Sequence, residues 1–348
     1  MDISKLTFDE LCYKWRSKIH TWIYMRDIET LGVEGYFRRY ASYRHALKTG
    51  VPGNKRSGEN FLTAVPNPGA GIGHQMANWM AGFYYARLFG LKFAHVPFSD
   101  EHHPLTADQW DGFLGLGDDE IQCKDLSEEG FEEIVLPLFD GNDKEQLRRI
   151  KDIVDSYSDR KVVFVCEQDQ FMKDLFLIQD DLQSRFRKAK ARQDDRLRYD
   201  KRCFNIAVHV RRGDILADQK NPNLAMRYLA NDYYCNVIRE MLKAIKTDKE
   251  IQLYVFSQGD ARDYPEFNEF DNMHWCLDMD AQSAFLHLVY ADLLITSKSS
   301  FSYKPALLNN GVKVCPRHFW HGYPDADDWI LCEDDGTISE NEIRKLMI

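Results

Sequence analysis

The stretch 205–214, read N-I-A-V-H-V-R-R-G-D, does most to limit how this chain can fold. Ile206, Ala207, Val208 and Val210 form a short apolar run, the pattern of a parallel strand covered on both faces. The run gives way abruptly to His209, Arg211, Arg212, Gly213 and Asp214. In open α/β sheets, ligands lie just beyond the carboxyl ends of strands, so two guanidiniums and an imidazole delivered there are arranged to meet an anion. The planar guanidinium fork suits phosphate better than a lysine point charge does. The stretch therefore predicts a pyrophosphate-bearing ligand. Two bland readings compete with it: a solvated, paired Arg-Arg surface, and a chance adhesion tripeptide at Arg212-Gly213-Asp214. The rest of the chain has to decide between them.

With 348 residues and 44% hydrophobic content, the chain is long enough for one large core or two ordinary ones. Its net charge of −10 argues against general nucleic-acid binding through a basic surface. A local basic pocket in so acidic a chain favours a small anionic ligand. The eight cysteines are scattered, form no C-x-x-C pair and lie partly in apolar runs. They read as buried reduced thiols rather than as zinc ligands or a disulfide framework. No stretch approaches the roughly 18 consecutive apolar residues of a membrane span. Asp2, Lys5, Asp9 and Glu10 are unlike a signal peptide, so the chain is expected to be soluble and cytoplasmic.

Thr7-x-x-Glu10 is a capping-box pattern. Phe8, Leu11, Cys12, Trp15, Ile19, Trp22 and Ile23 follow at helical spacing, an aromatic stripe expected to pack on the main body, with a membrane or partner surface as the alternative. A turn-rich connector leads to a strand over 61–65. Gly71, Gly73, His74 and Gln75 then open an apolar helix over 76–89. Strand, glycine turn and helix make a βα unit whose helix amides can face an anion. The spacing matches neither a dinucleotide fingerprint nor a P-loop. Strands are expected over 91–96 and 161–166, with an acidic, loop-rich region over 100–160 that holds His102 and His103. The mixed-charge run 180–202 reads as a solvated helix between domains. After the arginine stretch, helices over 227–245, 281–290 and 304–308 alternate with strands over 251–256, 274–277, 293–295 and 312–315. A hydroxyl-rich turn, Thr296 to Ser302, precedes the third of these helices, and Ser339-x-x-Glu342 caps a final helix. This alternation implies parallel sheets with helices on both faces.

G-I-G-H-Q at 71–75, H-V-R-R-G-D at 209–214 and D-L-L-I-T-S-K-S-S-F-S at 292–302 occur in an order that resembles the α-1,2-fucosyltransferases. The resemblance extends to their relatives, the α-1,6- and protein O-fucosyltransferases. It covers about residues 61–315 and is strongest after 204. It implies an α/β, GT-B fold of two Rossmann-like domains facing a cleft: a helical extension at 1–58, an acceptor domain at 59–200 and a GDP-sugar domain at 201–348. It also implies inverting, metal-independent transfer of L-fucose from GDP-fucose to a glycan hydroxyl, with no cofactor. By position, Arg211 would stabilise the departing GDP, and His209 and Arg212 would shape the phosphate site. Ser299, Ser300 and Phe301 would hold phosphate or nucleoside groups, with Ser257 also on the donor side. Gly71, Gly73, His74 and Gln75 would form the facing loop.

The chain departs from the family at two positions. His74 stands where the family's loop usually has Asn, which puts a titratable group near the reacting centre. Ala284 stands where an acidic residue is common, leaving Asp280 or Gln282 to read the base. Asp214 and Asp218 follow the arginines, and Asp218 is a second candidate base beside His74. Three rivals stay open. Asp278-Met279-Asp280 is a literal D-x-D, the motif that holds a divalent cation on a nucleotide diphosphate in another transferase fold. Asp325-Ala326-Asp327 shows how easily that pattern arises in an acidic chain. The donor could be a different nucleotide sugar, or the chain could be a non-catalytic nucleotide- or glycan-binding module.

Overall fold

Short apolar runs separated by helices leave a chain little choice but parallel strands joined by crossovers. The computed structural model has that form throughout and describes residues 8–52, 60–67, 70–98, 107–217 and 220–347. The expected capping residue Thr7, the pair His102 and His103, and Asp218 lie outside the described residues, as does the side chain of Asp214. The chain divides between Ile178 and Gln179 into two compact units.

The N-terminal unit begins with α1 (Phe8–Phe37), which is kinked where Gly32 leaves helical geometry, and α2 (Ala41–Thr49). It continues through β1 (Phe61–Ala64), α3 (Ile72–Phe89), β2 (Lys92–His95), α4 (Ala107–Leu114), β3 (Ile121–Gln122), α5 (Cys123–Glu128), β4 (Glu132–Val135), α6 (Lys144–Ser156) and β5 (Val162–Cys166). Its five strands are all parallel, in the order β3-β2-β1-β5-β4. The direction of strand order reverses beside β1, so the β1–β5 boundary is a topological switch point.

The expected packing of the α1 aromatic stripe is not what the structure shows. Trp15 is 67% exposed and Trp22 59%. The helix is held by its opposite, polar face: Arg16 and His20 pair with Glu167, Ser17 Oγ accepts from Gln168, and Tyr24 bonds Gln146. Buried Asp27, paired with Arg26 and Arg39, completes that face, and its carboxyl is held below the usual range by those guanidiniums despite burial. Periodicity located the helix but could not say which side meets the protein, because the anchoring side is polar.

The region expected to be loop-rich holds β3, β4, α5 and α6. β4 is a sheet edge with the acidic sequence E-E-I-V, so it carries no apolar run to announce it. α6 is capped by Asp143, whose carboxylate accepts from the Glu145 and Gln146 amides.

The C-terminal unit begins with α7 (Gln179–Lys188), which packs on the unit rather than standing solvated. Leu182 and Phe186 are buried, and Gln183 donates to the Leu307 carbonyl. Then come β6 (Phe204–His209), α8 (Asp214–Ala217), α9 (Pro222–Ala225), α10 (Asn231–Ala244), β7 (Ile251–Ser257), β8 (Met273–Leu277), α11 (Ala281–Tyr290), β9 (Leu293–Ile295), α12 (Ser300–Leu308), β10 (Val312–Pro316), β11 (Trp329–Cys332) and α13 (Glu340–Arg344). Ser339 caps α13 as its spacing predicts.

The six strands are parallel in the order β8-β7-β6-β9-β10-β11. Counted within the unit this is 3-2-1-4-5-6, the doubly wound dinucleotide-type order, with its switch point between β6 and β9. Ile206 and Val208 of β6 face α10 in a core shared with Val255, Ile295, Tyr234 and Met241. His209 alternates to the other face of the sheet. All eight cysteines are unpaired, six of them buried. Among the described residues, no helix is long and apolar enough to cross a membrane.

Candidate functional site

The β6–β9 switch point is where the sequence-predicted residues converge. β6 ends at His209 and β9 at Ile295, and a single hydroxyl ties the two ends together. Ser297 Oγ accepts from the Arg211 amide at 2.9 Å, donates to the His209 carbonyl and meets the Tyr234 hydroxyl at 2.8 Å. This clasp fixes the backbone from which the half-buried Arg211 side chain projects. Gly213 then turns the chain at φ +63, and a Cβ there would meet the Gln258 side chain at 2.2 Å. The positive φ favours glycine, and the end of the Gln258 side chain occupies the space a Cβ would take.

His209 is buried beside Phe301, with ring centroids 5.6 Å apart. Its Nδ1 has no hydrogen-bond partner among the described residues. Burial, and then the nearby Arg211 charge, lowers its pKa to about 3. The imidazole is therefore neutral at physiological pH, and Arg211 brings the positive charge to this strand end. Ser299 caps α12 by accepting from the Phe301 amide at 3.2 Å. The positive end of that helix dipole thus lies just past β9, beside the arginine, where an anion is favoured. Ser300 Oγ bonds His321 Nε2 at 3.3 Å, and Phe301 packs on Phe285.

Other expected contacts serve the scaffold. Arg212 is buried, and its guanidinium donates to the carbonyls of Arg211 and Leu229 and to Asn231 while lying over Tyr228. Its fork is turned into the protein, where it braces the strand end from which Arg211 projects. Ser257 Oγ donates to the Val210 carbonyl at 2.8 Å and meets the Tyr264 hydroxyl, tying β7 to β6. Asp280 caps α11 through the Ser283 amide, and Gln282 is half-buried in the same first turn. Ala284 is buried one turn further on. Among the described residues, no group of three or more His, Cys, Asp or Glu side chains is placed to hold a metal ion.

In the N-terminal unit, the glycine turn sits at the carboxyl end of β1, at that sheet's own switch point. Gly71 is the N-cap of α3, and no side chain caps the helix. A Cβ at Gly71 would meet nothing within 4 Å among the described residues. Gly73 is buried in the first turn, and half-buried His74 follows it. Gln75 is buried and donates to the Ala70 carbonyl, bracing the turn.

Sequence reading missed the second layer of the C-terminal site. Ser297 and Tyr234 form the clasp. Buried Lys298 pairs with Asp334, and buried His321 stacks on Tyr303 with centroids 4.3 Å apart. These residues come from the turn after β9, from α10 and α12, and from the loops after β10 and β11, and no local spacing announces their contacts. A cavity of about 320 Å³ lies at the opposite, amino-terminal edge of the same sheet, near Phe204, Asp292 and Gly311. Its cation, Arg187, is held by Asn310, so nothing there matches the anion-binding logic of the switch point.

No protein-family model matches the chain, and no curated protein matches it. Solved structures resemble it at low identity. The Bradyrhizobium fucosyltransferase NodZ is 14% identical over 73% of this chain and 94% of its own, with a TM-score of 0.43. NodZ α-1,6-fucosyltransferase soaked with GDP-fucose is 14% identical over 72% of this chain and 93% of its own, at 0.43. POFUT1 in complex with GDP-fucose is 10% identical over 74% of this chain and 96% of its own, at 0.47. The likeness is one of fold and carries no residue-by-residue correspondence.

Proposed function

We propose that the chain is an inverting, metal-independent glycosyltransferase that moves L-fucose from GDP-fucose to a glycan hydroxyl, forming an α-1,2 linkage. The observation that carries this reading is the β6–β9 clasp. It fixes Arg211 beside the N-terminus of α12 at the switch point of a doubly wound sheet. Such a place suits a pyrophosphate, and the three-motif sequence resemblance narrows the ligand to a GDP-sugar.

In the proposed reaction an acceptor hydroxyl oxygen attacks the anomeric carbon from the face opposite the nucleotide. A new C–O bond forms as the bond from that carbon to the β-phosphate oxygen breaks. The electron pair leaves with GDP, and the transition state is oxocarbenium-like. Arg211 and the α12 amides stabilise the charge growing on the phosphate. His209, neutral and buried, shapes the pocket without competing for that charge. The hydroxyl proton passes to a base, for which His74 and Asp218 are the candidates.

Arg211→Ala and Arg211→Lys test the assignment through release of GDP from GDP-fucose with a panel of glycans. Each variant is expected to lose about two or three orders of magnitude in turnover, as when a preorganised charge-stabilising group is removed. Its melting temperature should be unchanged. Near-normal turnover in either variant would sink the proposal.

Ala284 favours a second reading. A buried methyl stands where a base-reading carboxylate is expected, which suits a donor with a base other than guanine. Tighter binding of UDP or CDP than of GDP would select it.

A further inference from the structure

The face that α1 leaves open is not scattered exposure. Trp15, Ile19, Trp22 and Met25 are 67%, 48%, 59% and 60% exposed, and Cys12 is exposed as well. Cys12, Trp15, Ile19 and Trp22 follow one another in steps of three, four and three residues. Over these one and a half heptads the steps match the spacing of a seam that meets another helix, with Met25 at its margin. The opposite face is already committed to Glu167, Gln168 and Gln146. The helix therefore cannot rotate to bury the stripe without breaking those contacts.

We infer that this seam is a self-association surface, on which α1 of one copy pairs with α1 of a second copy. Three observations select that occupant. The first is area. The two indoles, Ile19 and Met25 leave about 500 Å² of apolar surface open, judged from the 150–250 Å² that an aromatic side chain presents. That is near the upper limit for a monomer's largest patch. With the stems of Lys18 and Arg26 added, it approaches the roughly 600 Å² per partner at the lower end of stable interfaces.

The second is complementarity within the chain. Elsewhere the exposed large apolar side chains on described helices, such as Leu47, Leu88, Leu242 and Tyr290, are single and form no seam. Among the described residues, the surface with a matching period is the same surface of another copy, the self-complementary contact of a two-fold dimer.

The third is charge. Arg16 is paired with Glu167, and Arg26 with Asp27 while lying over Trp22 at 4.6 Å. The Arg16 and Arg26 charges are thus neutralised and Lys18 is the cation left on this side, which lessens the repulsion between copies. It also lessens the pull toward an anionic membrane.

The test is the mass of the full chain by sedimentation equilibrium across a dilution series. The expected result is twice the 40.8 kDa chain mass, falling to the single-chain mass for Trp15→Glu/Trp22→Glu and for Ile19→Lys. Circular dichroism and melting should change little, because the replaced side chains are exposed. A wild-type chain that stays at 40.8 kDa throughout overturns the inference, and so does a dimer that survives both variants. A monomer that co-sediments with phosphatidylcholine vesicles overturns it in favour of a membrane surface.

Discussion

His209 couples the donor site to the stability of its domain. In the folded chain its pKa is lowered to about 3, by burial first and by Arg211 second, against about 6.5 when unfolded. Between those values the unfolded chain binds a proton that the folded chain refuses. Stability is therefore complete above pH 6.5 and falls with decreasing pH until about 3. Each pH unit in that window costs about 1.4 kcal/mol. From pH 7 to pH 4.5 the loss from this one residue is about 2.5 kcal/mol. At 2–4 °C per kcal/mol, that is a drop of about 5–10 °C in melting temperature.

The perturbation is His209→Asn, which removes the titrating group and retains a polar side chain. Urea unfolding of both proteins at pH 7 and pH 4.5 separates the constant cost of the substitution from its pH-dependent part. At pH 7 the variant should be the less stable protein, because a buried ring has been cut away. At pH 4.5 the gap should shrink by about 2.5 kcal/mol, because only the wild type has an unfolded chain stabilised by protonation at this position. If the two proteins lose stability in parallel on acidification, His209 is not held neutral and the account of the strand end fails.

Three further substitutions probe the clasp. Ser297→Ala leaves the Arg211 amide and the Tyr234 hydroxyl without their partner. It should cost about 2–4 kcal/mol and weaken GDP binding by calorimetry; unchanged binding would remove Ser297 from the site. Arg212→Lys cannot reproduce the hydrogen bonds of a buried fork. It should lower stability by about 1.5–3 kcal/mol, whereas Arg211→Lys should stay within about 0.5 kcal/mol. Equal destabilisation of the two would contradict their separate roles. Gly213→Ala should cost about 1–2 kcal/mol for φ +63, since the Gln258 side-chain end can move aside, and a melt within about one degree of wild type would argue against that strain.

What could be read from the sequence followed the physics of local signals. β6 and β9 were legible because a strand buried on both faces is an apolar run that ends sharply in polar residues. α11 was legible because its apolar period is clean and Asp280 precedes it as a cap. β4 was invisible because an edge strand with acidic, half-exposed residues reads as loop. α6 was lost in the same acidic stretch, although Asp143 and the period through Leu147, Ile150 and Val154 mark it. α1 was found as a helix and misread as to face, since its anchoring contacts are ion pairs and hydrogen bonds. At the site, Arg211 and the serine turn stood out as contiguous motifs. The protein partners of Arg212 and Ser257 were not legible, because residue type does not reveal which way a side chain turns. Ser297, Tyr234 and His321 meet only after the sheet has formed.

Thermal unfolding with GDP, UDP, CMP and GDP-fucose, each with and without EDTA, tests the central claim most directly. A ligand at about a hundred times its Kd adds about 2.7 kcal/mol, a rise of about 5–10 °C for units of this size. The account predicts that rise with GDP and GDP-fucose alone, unchanged by EDTA. No shift with any nucleotide, or a shift that favours UDP or requires a metal, would contradict it.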